Sequence, residues 1–257
     1  MKDNFGGNVL RMKVLKKVIR SILLLVVSAV FSIYFSNKSV FFISDKKLPI
    51  YSVDTNEKKV AITFDVNWGN DNTKNILDIL DEYEIKATFF LIGNWIDDYP
   101  EQAKEIYKRG HEIGNHSNSH PDMGKISTDK IKKDINIGEG KIFNLIGSNS
   151  KLFRFPSGSY NGNAIKTAEE MGYYCIQWDV DSIDWKEEGE EKEYSRVMKK
   201  TKPGSIILFH SDSKYTPKTL PRIIKNLKDK GYKFVKVGEL IYKDDYELDT
   251  NGRQIKK

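Results

Sequence analysis

Apolar runs alternate with segments of helical periodicity from residue 59 onward. Seven runs have the length and composition of buried strands: VAITFD (60–65), ATFFLIG (87–93), EIGNHS (112–117), LFRFP (152–156), YYCIQWDV (173–180), SIILFH (205–210) and FVKVGEL (234–240). Apolar residues at helical spacing fill most of the intervals, at 72–84, 100–110, 127–147, 163–172 and 219–230. Strands that alternate with helices predict a parallel sheet or barrel.

Charged and polar side chains follow the ends of several predicted strands. Asp65, His116, Arg154, the stretch 179–185 and His210 all stand at such ends. In a (β/α) barrel these ends form one mouth, where catalysis occurs. This placement favours a distorted (β/α)7 TIM-like barrel over an open sheet. The polar residues after 242 predict a loose tail over 243–257.

A different pattern occupies the N-terminus. Residues 22–35 read ILLLVVSAVFSIYF without a charge, and six basic residues precede them against one acidic residue. Such a segment predicts a transmembrane or signal-anchor helix over 22–36, with a basic cytoplasmic segment over 1–21. A stem over 37–57 then leads to an extracytoplasmic domain over 58–242. Cleavage of the segment as a signal peptide is the alternative, and it would make the protein secreted.

The net charge of +6 does not indicate a nucleic-acid partner. The first 21 residues carry five of these charges, so the rest of the chain is close to neutral and its lysines are interleaved with acidic residues. The single cysteine, Cys175, lies in an apolar run and cannot form an internal disulfide. We expect it to be a buried, unreactive thiol.

The residues at the predicted mouth include metal ligands, acids and bases. His116 and His120 are four positions apart, so a helical turn would place both imidazoles on one face, where they suit a divalent ion such as zinc. Asp65 emerges from an apolar strand and needs a partner, for which Arg154 is the candidate. His210 ends another strand and could be oriented by an aspartate.

The order of these motifs resembles a known family. TFD (63–65), HSNSH (116–120), RFPSG (154–158), DSIDW (181–185) and LFH (208–210) resemble the polysaccharide deacetylases with the NodB homology domain, the carbohydrate esterase 4-like proteins. The resemblance covers about residues 58–242. The longer strings TFDVNWGND, EIGNHSNSHP and QWDVDSIDW look most like the sporulation-associated PdaB-type branch of spore-forming bacteria.

The resemblance implies a role for each matched position. It makes the protein a hydrolase of amide bonds that removes acetyl groups from N-acetylated cell-wall glycan, most of all peptidoglycan, with a divalent metal that is zinc, cobalt or nickel. The implied roles are general base for Asp65, general acid for His210, orienter of that histidine for Asp184, tether of the base for Arg154, metal ligands for His116 and His120, oxyanion contact for the backbone of Ser157, and lining of the acetyl pocket for Trp185 and Leu208.

The chain departs from the family pattern at one position. The family usually has TFDD, whose second aspartate is the third metal ligand, and this chain has Val66 there. Asn67 and Asp71 are the nearby residues that carry an oxygen donor, and Asp71 has the better ligand chemistry because a carboxylate binds a divalent cation more strongly than an amide. Asp71 also stands at the start of a predicted helix, where it could simply cap the backbone.

Two functions remain open from the sequence. One is an active deacetylase, held at the membrane by the N-terminal helix, with its catalytic domain outside or in the space between forespore and mother cell. The other is a degenerate deacetylase that binds glycan or assists wall assembly. A glycoside hydrolase would account for the carboxylates but not for the histidines and Arg154. We expect no nucleic-acid partner and no obligate protein partner.

Overall fold

The computed structural model describes residues 16–20, 22–27, 47–69 and 72–257. The chain divides into two compact units, residues 1–46 and 47–257. In the first unit, residues 16–20 and 22–27 are helical. The remainder of the predicted signal anchor, 28–36, lies outside the described residues. No helix within the described ranges is long and apolar enough to cross a bilayer.

The described residues of the second unit form eleven strands and eight α-helices. The strands are β1 (Ser52–Val53), β2 (Lys59–Val66), β3 (Thr88–Leu91), β4 (Glu112–Asn115), β5 (Leu152–Phe153), β6 (Tyr174–Cys175), β7 (Val180–Asp181), β8 (Ile206–His210), β9 (Lys233–Phe234), β10 (Tyr246–Leu248) and β11 (Arg253–Lys256). The helices are α1 (Thr73–Glu82), α2 (Gly93–Asp98), α3 (Pro100–Lys108), α4 (Thr128–Ile146), α5 (Gly162–Glu170), α6 (Glu190–Lys200), α7 (Thr216–Asp229) and α8 (Val237–Leu240).

The main sheet is parallel and curled. Its order is β6-β5-β4-β3-β2-β8-β7, and β9 pairs with the start of β2. The two edge strands, β6 and β7, are separated by only four residues of chain, so the edges of the sheet are brought close together. The prediction of an α/β fold with a curled, barrel-like parallel sheet is confirmed, because the strands of this sheet are parallel and helices connect most of them.

Side chains of β2 alternate between two environments. Ile62, Phe64 and Val66 pack into the apolar layer between the sheet and the helices, whereas Thr63 and Asp65 point to the other face of the strand. Phe64 stacks on two aromatic rings of neighbouring strands, at centroid distances of 4.8 Å and 5.8 Å. This packing fixes the orientation of β2 and therefore directs Asp65 to the inside of the barrel.

Three helices differ from the sequence-based expectations. The apolar run 234–240 is not one strand: β9 ends at Phe234 and α8 follows, where Glu239 accepts a hydrogen bond from the backbone N–H of Lys236 at 3.4 Å. Helix α6 was not predicted because its charged sequence has little apolar periodicity, with Val197 as its one fully buried apolar residue. Helix α2 was not predicted because it follows directly on the apolar run that was predicted as a strand over 87–93.

The prediction of a loose tail over 243–257 is wrong. Strands β10 and β11 form an antiparallel pair, and β11 continues into a parallel pair with β1 from the predicted stem. The side chain of Gln254 is fully buried there and bonds both backbone groups of Tyr242, with each N···O distance at 2.9 Å. The ordered domain therefore extends beyond the predicted limits of 58 and 242, because polar residues here satisfy backbone groups instead of facing water.

We predict that Gln254→Ala destabilises the domain. The change leaves the partly buried N–H and C=O of Tyr242 without their partners, and each lost hydrogen bond costs about 0.5–1.5 kcal/mol. Urea unfolding measures the loss, with the exposed Lys256→Ala on the same strand as control. Equal stability of the two variants would contradict the described packing of the C-terminal strands.

Candidate functional site

A cavity of about 590 Å³ lies at the carboxyl ends of the strands. Asp65 near the end of β2 and His210 at the end of β8 both line it, and Asp184 reaches it from a short turn after β7. The remaining lining residues are Asn67, Trp68, His120, Ser157, Trp178, Asp181, Trp185, Glu187, Leu208, Asp212 and Ser213. The cavity thus collects most of the side chains that the sequence placed at the mouth.

Asp65 is held by a buried ion pair with Arg154. An Nη1–H of Arg154 donates to Asp65 Oδ1 at 2.7 Å and to Thr63 Oγ1 at 2.9 Å, and an Nη2–H donates to the carbonyl of Gln177 at 3.2 Å. Burial raises the pKa of Asp65, but the charges of Arg154, His116 and His210 and the hydrogen bond from Arg154 together outweigh burial and hold the pKa below its usual value. Asp65 is therefore a carboxylate at neutral pH, and its Oδ2 is not used by Arg154.

Aromatic rings hold the Arg154 guanidinium in place. Its central carbon lies 4.0 Å from the ring centroid of Phe90 and 5.4 Å from that of Trp178. The side chain is fully buried, and its contacts reach β2, β3 and the segment between β6 and β7. One side chain thus ties the centre of the sheet to the place where its edges approach each other.

A second ion pair joins His210 and Asp184. His210 Nδ1 lies 2.7 Å from Asp184 Oδ1, and the backbone N–H of His210 donates to Asp184 Oδ2 at 2.7 Å. Burial lowers the pKa of His210, but the hydrogen bond to Asp184 and its charge outweigh burial and raise the pKa to about 9. At neutral pH the imidazole is therefore protonated and can act as an acid.

Two further residues support this pair, and the sequence did not reveal them. The Thr216 hydroxyl lies within hydrogen-bond distance of both Asp184 Oδ2, at 3.3 Å, and Glu193 Oε1, at 3.0 Å. Glu193 is buried, and burial raises its pKa to about 7. Nothing in the sequence marks this contact, because it depends on how α6 packs against α7.

The two metal-ligand candidates come together in a loop, not in a helix. His116 follows β4, and the backbone at Ser117 and His120 is left-handed, with φ of 74° and 58°. The N–H of His120 donates to Ser117 Oγ at 3.0 Å, which stabilises this turn. The imidazole centroids are 5.2 Å apart. The sequence predicted that the two rings lie together, but a loop brings them together and not the expected helical turn.

The histidine pair has the chemistry of a metal site. The Nδ1–H of His116 donates to the carbonyl of Arg154 at 2.9 Å, so Nε2 carries the lone pair. The Nε2 atoms of His116 and His120 are buried and find no hydrogen-bond partner among the described residues, and Asp65 Oδ2 lies 3.5 Å from the former. Burial lowers the pKa of His116 to about 4, which keeps it neutral. Both rings therefore fit a divalent cation.

The described residues do not form a complete set of the side chains that usually bind such a metal ion. Within those ranges, no group of three or more His, Cys, Asp or Glu side chains could hold a metal ion. Val66 is fully buried in the apolar layer behind β2 and offers no donor atom. Asp71, the predicted surrogate ligand, lies outside the described residues and stays a prediction.

The rim of the cavity carries two exposed tryptophans. Trp68 and Trp185 are 63% and 61% exposed, although both line the cavity. Leu208 lines the inner wall, and Ser157 contributes from a turn in which its φ is 52°. The three lining residues expected from the sequence, Ser157, Trp185 and Leu208, therefore lie around the same cavity. Trp68 is an additional member that the sequence did not single out.

Comparison with known proteins identifies the family. A family model described as polysaccharide deacetylase matches residues 52–176. A peptidoglycan-N-acetylglucosamine deacetylase of Bacillus cereus is 39% identical over 196 residues, covering 74% of this chain and 92% of the relative. The uncharacterized protein YlxY of Bacillus subtilis is 39% identical over 193 residues, covering 75% of this chain and 60% of YlxY. The chain therefore belongs to the polysaccharide deacetylase family.

A solved structure supports the same assignment. A pseudoenzyme of carbohydrate esterase family 4 from Bacillus anthracis matches with a TM-score of 0.73 and 35% identity, covering 81% of this chain and 70% of that one. A mutant of that protein, described as having restored enzymatic activity, matches with a TM-score of 0.73 and 36% identity. The narrower resemblance to the PdaB-type branch stays a prediction.

We predict that Asp184→Asn lowers the pKa of His210 from about 9 to below the ordinary histidine value of about 6.5. The substitution removes the negative charge and leaves the burial, which alone favours the neutral ring. Because the chain has four histidines, NMR titration of the metal-free protein can follow each ring. Asp181→Asn, at another carboxylate of the cavity, should leave the His210 titration unchanged. A wild-type pKa retained in Asp184→Asn would contradict the pairing.

Proposed function

We propose that this protein removes acetyl groups from the N-acetylated sugars of peptidoglycan by metal-assisted hydrolysis of the amide bond. The observation that carries the proposal is the presence of two ion pairs at one cavity, Asp65 with Arg154 and Asp184 with His210. Beside them, the Nε2 atoms of His116 and His120 have no hydrogen-bond partner among the described residues. One pair supplies a base and the other an acid, which is what amide hydrolysis needs.

Asp65 acts as the general base. Its Oδ1 is occupied by Arg154, so Oδ2 is the oxygen that accepts a proton from the attacking water. The lowered pKa keeps the carboxylate ionised, and the ion pair fixes its orientation. A bound divalent cation at His116 and His120 would supply Lewis-acid activation of that water and of the acetamide carbonyl.

His210 acts as the general acid. Asp184 holds Nδ1, which leaves Nε2–H to protonate the amine nitrogen as the amide bond breaks. The products are acetate and a free amino sugar. Leu208 and Trp185 offer apolar surface for the acetyl methyl group, and the backbone N–H of Ser157 is the candidate donor to the oxyanion.

A glycan is the substrate class that suits the rim. Exposed indole rings such as Trp68 and Trp185 offer flat apolar faces for sugar rings, beside carboxylates that bond hydroxyl groups. The relative from Bacillus cereus is named for deacetylation of peptidoglycan N-acetylglucosamine. We propose an extracytoplasmic location, with the apolar segment at 22–36 as the membrane anchor and a role during sporulation, both on the sequence pattern alone.

A degenerate deacetylase that binds glycan is the second candidate. The observation that favours it is Val66, whose side chain is buried away from the cavity where the family has a ligand. Similarity to the Bacillus anthracis pseudoenzyme points in the same direction. The retained base, acid and both partners favour the active enzyme, because a binding protein has no need for the two ion pairs.

We predict that the metal-loaded protein releases acetate from peptidoglycan or from N-acetylglucosamine oligomers, and that Asp65→Asn abolishes it. Loss of the base should lower kcat by about 10²–10⁴-fold. Acetate is quantified enzymatically, and Asp181→Asn serves as a carboxylate control at the same cavity. Glycan binding by a folded, metal-loaded wild-type protein that releases no acetate would replace the enzyme with the binding function.

We predict an alkaline limit to this activity that His210 sets. The acid is protonated below its pKa of about 9, so kcat/KM should fall as the pH rises through this value, with the slope of one proton. The base is already ionised across the neutral range because its pKa is lowered. In Asp184→Asn the limit should move to lower pH. An unmoved limit in that variant would exclude His210 as the acid.

A further inference from the structure

Val66, which occupies the position of the family aspartate, is part of the apolar core of this chain. Val66 has no exposed surface and packs with Phe64 and Ile62 in the layer that joins β2 to the helices. Because side chains alternate along β2, Thr63 and Asp65 lie on the opposite side of the strand from Val66. Asn67 follows the end of β2 and lines the cavity together with Asp65. An oxygen donor is therefore found one residue later than in the family pattern.

Asn67 Oδ1 is a buried atom that has no partner. No hydrogen bond to it is formed within the described part of the chain, although its surface is inaccessible. A buried amide oxygen without a partner is unfavourable, and such atoms in native structures call for a ligand or an ordered water. Within the described residues, Nε2 of His120, which also lines this cavity, is buried without a partner in the same way, and so is Nε2 of the neighbouring His116, which is not a lining residue. These three atoms all present lone pairs.

The backbone around Asn67 is anchored on both sides. The carbonyl of Val66 accepts a hydrogen bond from the N–H of Ile92 at 3.3 Å, and the indole N–H of the buried Trp95 donates to the carbonyl of Gly69 at 2.6 Å. Between them, the Trp68 ring meets His120 edge-on at a centroid distance of 5.8 Å. Asn67 is thus held beside the histidine pair by packing that does not depend on its own side chain.

We infer that Asn67 supplies the third, oxygen ligand of a divalent cation bound by His116 and His120. The inference deepens the proposed function and rests on the same metal site. A carboxamide oxygen binds Zn²⁺ or Co²⁺ more weakly than a carboxylate does, since it carries no charge. The site would therefore have one negative charge less than the usual two-histidine, one-aspartate set, and Asp65 would be the carboxylate that faces the cation.

Metal affinity tests this inference without an activity assay. The full-length protein is stripped with a chelator, and Zn²⁺ affinity is measured by competition with a chromophoric chelator, alongside the visible spectrum of the Co²⁺ form. Asn67→Ala should weaken Zn²⁺ binding by about tenfold or more and change the Co²⁺ spectrum. Asn67→Asp should tighten binding by about tenfold, because the ligand gains a charge.

Matched variants separate the alternatives. Ser213 also lines the cavity with a buried hydroxyl that has no partner, so Ser213→Ala is the control for loss of a polar atom and should leave the affinity unchanged. Asp71→Ala should likewise have no effect. Metal-free Asn67→Ala should unfold no earlier than wild type, since the change removes an unpartnered polar atom. Unchanged Zn²⁺ affinity in Asn67→Ala, or its loss in Asp71→Ala instead, would overturn the inference.

The outcomes also distinguish this inference from the proposed function. Zn²⁺ affinity that depends on Asn67, in a protein that releases no acetate from any glycan, supports the ligand assignment and rejects the enzyme. Acetate release in wild type, with equal Zn²⁺ affinity in Asn67→Ala, supports the enzyme and rejects the ligand assignment. A wild-type protein that binds neither Zn²⁺ nor Co²⁺ overturns the assignment outright.

Discussion

The site depends on a single buried ion pair, between Asp65 and Arg154. Removing either partner leaves an uncompensated charge in the interior, which typically costs about 3–5 kcal/mol. Arg154 also bonds Thr63 and the carbonyl of Gln177, so the pair connects the central strand with the segment between the two sheet edges. The closure of the sheet and the ionisation of Asp65 are therefore coupled through one guanidinium group.

The second pair, His210 with Asp184, has the opposite electrostatic effect. Arg154 lowers the pKa of a carboxyl, whereas Asp184 raises that of an imidazole. Both groups are then charged at neutral pH, one ready to accept a proton and the other ready to give one. Groups with shifted pKa values cluster at functional sites, so these opposite shifts within one cavity support the proposed acid and base roles.

The sequence predicted the central features for identifiable physical reasons. A carboxylate at the end of an apolar strand needs a partner, so the pairing of Asp65 with Arg154 followed from burial alone. Strand-end placement likewise brought His210 and Asp184 to one mouth. The geometry of the histidine pair did not follow, because left-handed backbone at Ser117 and His120 replaces the expected helical turn. The support from Glu193 depends on tertiary packing of a charged helix, which periodicity does not reveal.

The C-terminal strands were missed because polar sequences carry little strand signal. Their position shows how the two ends of the domain are joined. Strand β1 bonds the turn at Gly204 and Ser205, just before β8 begins, and β11 pairs with β1. This small sheet therefore lies next to the amino end of β8. The first and last strands of the domain, β1 and β11, are fastened together there and neither contributes a lining residue to the cavity, so the wall of the cavity is built without the strands that join the two ends of the domain.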